Sequence, residues 1–230
     1  MIEFKPVRLE DKQIIERHTM PSGILNCDLA FANMYCWQAM YHSAWAVIDG
    51  FLVIRFHIGG GEKIGYMQPV GEGDFAGIIP ALRADAHAHG QRLRIIGLTD
   101  EGEMIRNMHA GLFAFESDRA LEDYVYNAED LRNLTGRRYQ PKRNHINRFM
   151  SEYPDFRYEN LTRDRFAECM QLEREWRRAH EGHTSELCAE QRAMQRAFDH
   201  FEELEMLGGC IYVGDKLVAF TFGSAVNDHT

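Results

Sequence analysis

Between Leu131 and Ser151 the chain holds no Asp or Glu, but it holds Arg132, Arg137, Arg138, Lys142, Arg143 and Arg148. Asn144 and Asn147 add neutral amide donors to the same stretch. Guanidinium, ammonium and amide groups gathered over so short a span can hold a phosphate or a carboxylate. Arg137, Arg138, Lys142, Arg143, Asn144, Asn147 and Arg148 are therefore the candidate phosphate-binding residues. The same run also fits a solvated helix face whose arginines pair with nearby acids, and the residues alone leave both readings open.

A helix over Pro141–Ser151 is the element expected to position these groups. Proline suits the first helical turn, and a wheel of about 100° per residue sets Ile146, Phe149 and Met150 on one arc with Asn144, Asn147 and Arg148 opposite. One side is expected to pack and the other to bind. Arg137, Arg138 and Lys142 fall before or within the first turn, where unpaired backbone N–H groups add to a positive field.

This basic segment stands in an acidic protein of net charge −9. Residues 1–130 carry 11 Lys and Arg against 19 Asp and Glu, while residues 131–230 carry 15 against 16, so the character of the chain changes near Leu131. A uniformly acidic surface repels polyanions, but a local positive patch still acts within a Debye length of about 8 Å. At 230 residues and 45% hydrophobic content the chain can bury one large core or two modest ones. A charged start and the lack of an apolar run of membrane-spanning length predict no integral membrane segment and a cytoplasmic location. Five cysteines without CxxC spacing are read as reduced core thiols.

Periodicity predicts a helix over Asp28–Met40, strands Ala44–Ile48 and Phe51–Ile58 joined at Asp49-Gly50, and a strand Ile64–Gln68. A helix Asp74–Gly90, a strand Leu93–Leu98, a helix Glu101–Met108 and an extended Glu122–Tyr126 follow. The second half reads as a strand Phe156–Asn160, helices Thr162–Ala179 and Ser185–Glu205, and a hairpin in "CIYVGDKLVAFTFGS". That hairpin repeats the pattern of "AWAVIDGFLVIRFHIG", aligning Leu217-Val218 with Leu52-Val53. The expectation is an α+β protein of two repeated domains, 1–130 and 131–230, each a mixed sheet flanked by helices, with the second incomplete at its C-terminus.

"DYVYNAEDLRNLTGRRYQPKRNHINRF", residues 123–149, resembles the stretch joining the two halves in the family named for the C-terminal domain of phosphatidylglycerol lysyltransferase. Leu134, Gly136, Arg137, Arg138, Arg143, Asn144, Ile146, Asn147 and Arg148 carry the likeness, and "CDLAFANMYCWQ" and "LGGCIYVGDKLVAFTFGSAVNDHT" extend it along the chain. The resemblance implies two tandem GNAT-like (N-acyltransferase) folds. It also implies transfer of an aminoacyl group from aminoacyl-tRNA, as co-substrate, to a phosphate-bearing lipid headgroup or cell-wall-type acceptor. The partners it suggests are tRNA or a phosphorylated small molecule.

An acyl-CoA donor is the second option. "PVGEGDFAGII" has Gly71, Gly73 and Gly77 for a pyrophosphate loop, but Glu72 and Asp74 would repel the phosphates. A non-catalytic module holding a phosphorylated ligand or RNA is the rival class. "HEGH" (His180, Glu181, His183) lacks the spacing of a two-histidine metal site, so no metal is expected. His87 and His89 end a helix, and Trp37, Trp45 and Trp176 are expected in the core. Glu173, Glu175 and Glu190 are carboxylates on long helices, none of them singled out as a base, and the catalytic residues stay unknown.

Overall fold

The computed structural model describes residues 2–99, 111–179 and 185–230, with the side chains of 185 and 186 excepted. In chain order the elements are β1 (Lys5–Pro6), α1 (Lys12–Thr19), α2 (Phe31–Cys36), α3 (Gln38–Tyr41), β2 (Ala44–Ile48), β3 (Phe51–His57), β4 (Ile64–Met67) and β5 (Val70–Gly71). They continue with α4 (Phe75–Ala88), β6 (Ile95–Ile96), α5 (Ala128–Asn133), α6 (Gln140–Glu152), β7 (Arg157–Asn160), α7 (Phe166–Ala179), α8 (Ser185–Asp199), β8 (Leu207–Val213) and β9 (Lys216–Gly223). Among the described residues no helix is long and apolar enough to cross a membrane.

Two compact units share the chain: Met1–Ala120 with His183–Glu205 and Ser224–Thr230, and Leu121–Gly182 with Met206–Gly223. The first holds a sheet in the order β1-β2-β3-β4-β6, with β5 also on β3. All its pairings are antiparallel except β4 with β6, so the sheet is open and mixed. Helix α4 covers it because Phe75, Ile78, Ile79, Leu82 and Ala86 recur at helical spacing on one face, and they pack on Phe51, Val53, Ile64 and Tyr66. The helix stops at Gly90, whose φ of +70° suits a left-handed terminator.

The predicted turn between β2 and β3 is present. Asp49 and Gly50 both have positive φ, the backbone that two-residue hairpin turns require. Gly71 lies against this turn, where a Cβ would meet the Gly50 carbonyl oxygen at 2.2 Å. That glycine is explained by the close pairing of β5 with β3, so it is no sign of a phosphate loop.

Some elements differ from expectation. The helix over Asp28–Met40 is split at Trp37, whose φ/ψ of −89°/5° leaves the helical basin. Strand Leu93–Leu98 shrinks to Ile95–Ile96. Glu122–Tyr126 forms no strand, and Leu121, Tyr124, Val125 and Tyr126 are exposed. An apolar-rich run forms a strand only where a neighbouring strand takes its hydrogen bonds. The expected helix Glu101–Met108 lies outside the described residues. Trp45 is buried as expected, but Trp176 is 52% exposed, and Cys27 is exposed while Cys36, Cys169 and Cys210 are buried.

The second unit has a three-stranded antiparallel sheet in the order β7-β8-β9. Helix α7 packs on β9, and Cys169 and Met170 are its buried residues. Helix α8 belongs to the first unit, where the Arg196 guanidinium lies 4.0 Å from the ring centroid of Tyr35 on α2.

Candidate functional site

The acid-free stretch folds as a helix, a turn and a second helix. Asn127 caps α5 by accepting from the amides of Glu129 and Asp130, and α5 ends at Leu134, a non-glycine residue with φ of +49°. A single 3₁₀ turn over Arg137–Tyr139 then leads into α6, with Pro141 in its first turn. Tyr139 is buried and anchors this entry.

Five cations meet different fates here. Arg138 pairs with Asp130 and donates to the Tyr139 hydroxyl at 2.9 Å. Arg148 pairs with Glu152 one turn on, at 2.7 Å. Both guanidiniums are largely exposed, at 70% and 77%, so these pairs are worth about 0–1 kcal/mol and exchange readily for another anion.

Arg143 is half-buried and directed inward. It donates to the carbonyl oxygens of Leu134 and Gly136 and to Gln140 Oε1. The Leu134 carbonyl is left over where α5 ends and Gly136 opens the next turn, so Arg143 caps a helix C-terminus and fixes the turn into α6. Lys142 has its ammonium 5.5 Å from the Tyr126 ring centroid and, like Arg137, has no carboxylate partner among the described residues. Asn144 accepts from Gln140 Nε2 at 3.0 Å, and Asn147 is exposed.

The expected division of α6 into a packed and a binding face holds only in part. Phe149 is half-buried against Tyr153 and Phe156, with centroids 5.2 and 5.4 Å away. Ile146 and Met150 are exposed, and none of the thirteen residues is buried. The charges also run against the helix. Lys142 and Arg143 occupy the positive N-terminal turn, no acid accompanies them, and Glu152 sits at the negative end. Each such placement costs about 0.3–1 kcal/mol at an exposed site.

Two polar networks escaped the sequence reading. Asp85 is buried in the first unit, where it accepts from Arg55 at 2.9 Å and from the Tyr66 hydroxyl at 2.5 Å. Burial, then the Asp85 carboxylate, push Tyr66 well above the usual tyrosine range. The signal was available, because Asp85 interrupts the apolar stripe Ile78, Leu82, Ala86 and needed a buried partner.

In the second unit Tyr212 donates to Glu168 at 2.7 Å and accepts from Arg165 at 3.0 Å, and Arg165 also pairs with Glu159. These four residues lie on β8, α7, the turn before α7 and β7, a convergence that no local pattern in the sequence encodes. Glu173 is tied to Arg177 at 3.1 Å and Glu175 accepts from Gln171, so neither stands as a poised base. Among the described residues no group of three His, Cys, Asp or Glu side chains is placed to hold a metal ion, and His180, Glu181 and His183 lie outside them.

The family model of the phosphatidylglycerol lysyltransferase C-terminal region matches residues 22–230. The chain belongs to that family. The match includes the α5–α6 turn with every cation discussed above. A crystal structure of a conserved protein of unknown function from Bacteroides thetaiotaomicron VPI-5482 is similar throughout, with a TM-score of 0.91 and 41% identity over 99% of this chain and 77% of that chain. No curated protein matches.

Proposed function

We propose that this member of the phosphatidylglycerol lysyltransferase C-terminal family is an aminoacyltransferase homologue with two tandem GNAT-like folds, in residues 1–130 and 131–230. Its donor is an aminoacyl-tRNA and its acceptor a phosphate-bearing lipid or cell-wall-type molecule. In the reaction, an acceptor amine or hydroxyl attacks the ester carbonyl of the donor. The new C–N or C–O bond forms as the bond to the ribose oxygen breaks, and the acceptor's proton leaves on the freed tRNA hydroxyl.

The observation that carries this reading is the reversed charge at the start of α6. A helix entry that gathers Arg137, Arg138, Lys142 and Arg143, of which only Arg138 pairs with a carboxylate among the described residues, opposes its own dipole, and such local conflict is expected where an anion is to be bound. Arg137 and Lys142 are the primary phosphate contacts. Arg138 and Arg148 exchange their surface carboxylates for the ligand, with Asn144 and Asn147 as neutral donors. Arg143 acts by holding the turn, as a positioning residue.

A non-catalytic module for RNA or a phosphorylated ligand is the second reading, favoured by the engagement of Glu173 and Glu175 with neighbours on their own helix. Acyl-CoA is the weaker donor, because Gly71 is accounted for by strand pairing. The test is binding of lysyl-tRNA and uncharged tRNA across a salt series, with release of lysine followed in parallel. Transfer requires salt-dependent binding coupled to release. Binding without release supports the second reading, and no binding of either tRNA removes the tRNA donor.

A further inference from the structure

Cys36, Cys169 and Cys210 are the buried cysteines among the described residues, and two of them meet. Cys169 lies on α7 and Cys210 on β8, the central strand of the sheet in the second unit. Both are 0% exposed and both are free thiols. Their side chains are hydrogen-bonded to each other. Cys36 instead feels the charge of Arg196. A single buried cysteine acts as a small apolar side chain, whereas two in contact also carry redox chemistry.

The two elements are tied together beside this contact. Glu168, the residue before Cys169, accepts from the hydroxyl of Tyr212, two positions beyond Cys210 on β8. Cys210 is held from both sides, opposite Glu159 on β7 and Phe220 on β9. Helix and strand are therefore fixed at neighbouring points. A disulfide has narrow geometric demands, and thiols already bonded to each other across anchored elements need only a short approach to meet them.

The two sulfurs are unequal. Burial raises both, Cys169 to about 12. The hydrogen bond between them then raises Cys169 and lowers Cys210, which leaves the shared proton on Cys169. Arg165 also lowers Cys210, against Glu168 and Glu159. Cys210 is thus the sulfur that ionises first, with the Cys169 thiol beside it.

We propose that Cys169 and Cys210 are an oxidative modification site, a dithiol that a hydroperoxide converts into a disulfide joining α7 to β8. In the first step the Cys210 thiolate attacks a peroxide oxygen of hydrogen peroxide. The S–O bond forms, the O–O bond breaks, and hydroxide leaves to take up the proton that Cys210 released. In the second step the Cys169 sulfur attacks the sulfur of the Cys210 sulfenic acid. The S–S bond forms, the S–O bond breaks, and the hydroxyl leaves as water with the Cys169 proton. Two thiols are oxidised and one peroxide is reduced to two waters. A small oxidant reaches the pair when α7 opens locally from the sheet, so linkage is slower than oxidation of the exposed Cys27.

The experiment exposes the folded chain to hydrogen peroxide and maps its cysteines by peptide mass spectrometry, with Cys27 as the reference and circular dichroism as the check on folding. The expected product joins the peptides of Cys169 and Cys210 with the loss of two hydrogens, and dithiothreitol reverses it. Cys169→Ala should accumulate a sulfenic acid on Cys210 that dimedone traps, whereas Cys210→Ala should leave Cys169 reduced. Should either variant unfold, the wild-type map still decides. Cys169 and Cys210 that stay reduced on prolonged exposure after Cys27 is exhausted overturn the proposal. So does oxidation of Cys210 to the sulfinic acid without linkage, or linkage of either residue to a different cysteine in the folded chain. Dimedone capture on Cys169 instead of Cys210 overturns the order of attack.

Discussion

The hairpins β2–β3 and β8–β9 are written in nearly the same pattern and end in opposite states. Each has a short apolar strand, a two-residue turn of Asp and Gly, and a longer apolar strand, and each turn contains a glycine with positive φ. In the first unit the longer strand is buried under α4 and flanked on both edges, whereas in the second it is mostly exposed. Hydrophobic pattern decides that a strand forms and which residues share a face. Burial depends on how many neighbours the sheet supplies, and that is a property of the assembled unit.

Charge separates the units in the same way. The first carries 13 Lys and Arg against 22 Asp and Glu, and the second 13 against 13, so the whole net charge of −9 resides in the first. The first unit commits a charge to its interior, Asp85 with Arg55 and Tyr66, while the comparable tyrosine network of the second uses the exposed Glu168.

The largest effect is expected at Asp85. Asp85→Ala strands Arg55 and Tyr66 without their shared acceptor and should cost about 3–5 kcal/mol in denaturant unfolding. Glu168→Ala, its counterpart, should cost about 1 kcal/mol because water replaces the lost partner. Equal losses would erase the contrast between a dry network and a wet one.

Arg143→Ala should lower stability by about 2 kcal/mol, since its charged hydrogen bonds cap the end of α5. Retained thermal stability with abolished anion binding would move it from the positioning group to the binding group.

Alkali tests the buried thiols of both units. Burial pushes Cys36 and Cys169 up to about 12, from an ordinary 9.0, and raises Cys210 as well. A thiol that keeps its proton in the folded chain and loses it in the unfolded one stabilises the fold fully below pH 9.0, and that contribution is lost as the pH rises to about 12. Stability should therefore fall above pH 9 by about 1.4 kcal/mol per pH unit for each thiol. Within this window Cys36→Ala in the first unit, or Cys169→Ala in the second, should flatten the pH dependence by one thiol's share.

The smallest effect on folding is expected at the surface cations. Arg148→Ala should change stability by less than about 0.5 kcal/mol. Arg137→Ala with Lys142→Ala should raise melting slightly, because Lys142 no longer opposes the helix dipole, while reducing the slope of log binding constant against log salt by about one for each phosphate no longer neutralised. An unchanged slope would remove those two residues from the site.

Much of this was legible in the chain. Apolar spacing and turn residues placed α4, β2, β3, β8, β9 and the helix carrying the cations within a few residues, because local sterics and amphipathic periodicity are written in neighbouring positions. The family was recognisable from the residues of 123–149, and the family match over residues 22–230 bears that recognition out. Glu122–Tyr126 misled because a strand-like composition found no strand to pair with. Arg143 read as a phosphate ligand because its charge is visible in the sequence, whereas the carbonyls it caps become partners only when the chain turns back at Leu134 and Gly136.

The sequence by itself determined the acid-free stretch, the helix that bears it, the hairpin repeat and the concentration of negative charge in the first half. Tertiary structure alone decided which cations pair with carboxylates among the described residues, that Asp85 has buried partners, and that β9 is mostly exposed while Phe51–Ile54 of β3 are buried. Those outcomes depend on groups far apart in the chain, and no local pattern records which of them folding brings within hydrogen-bonding distance.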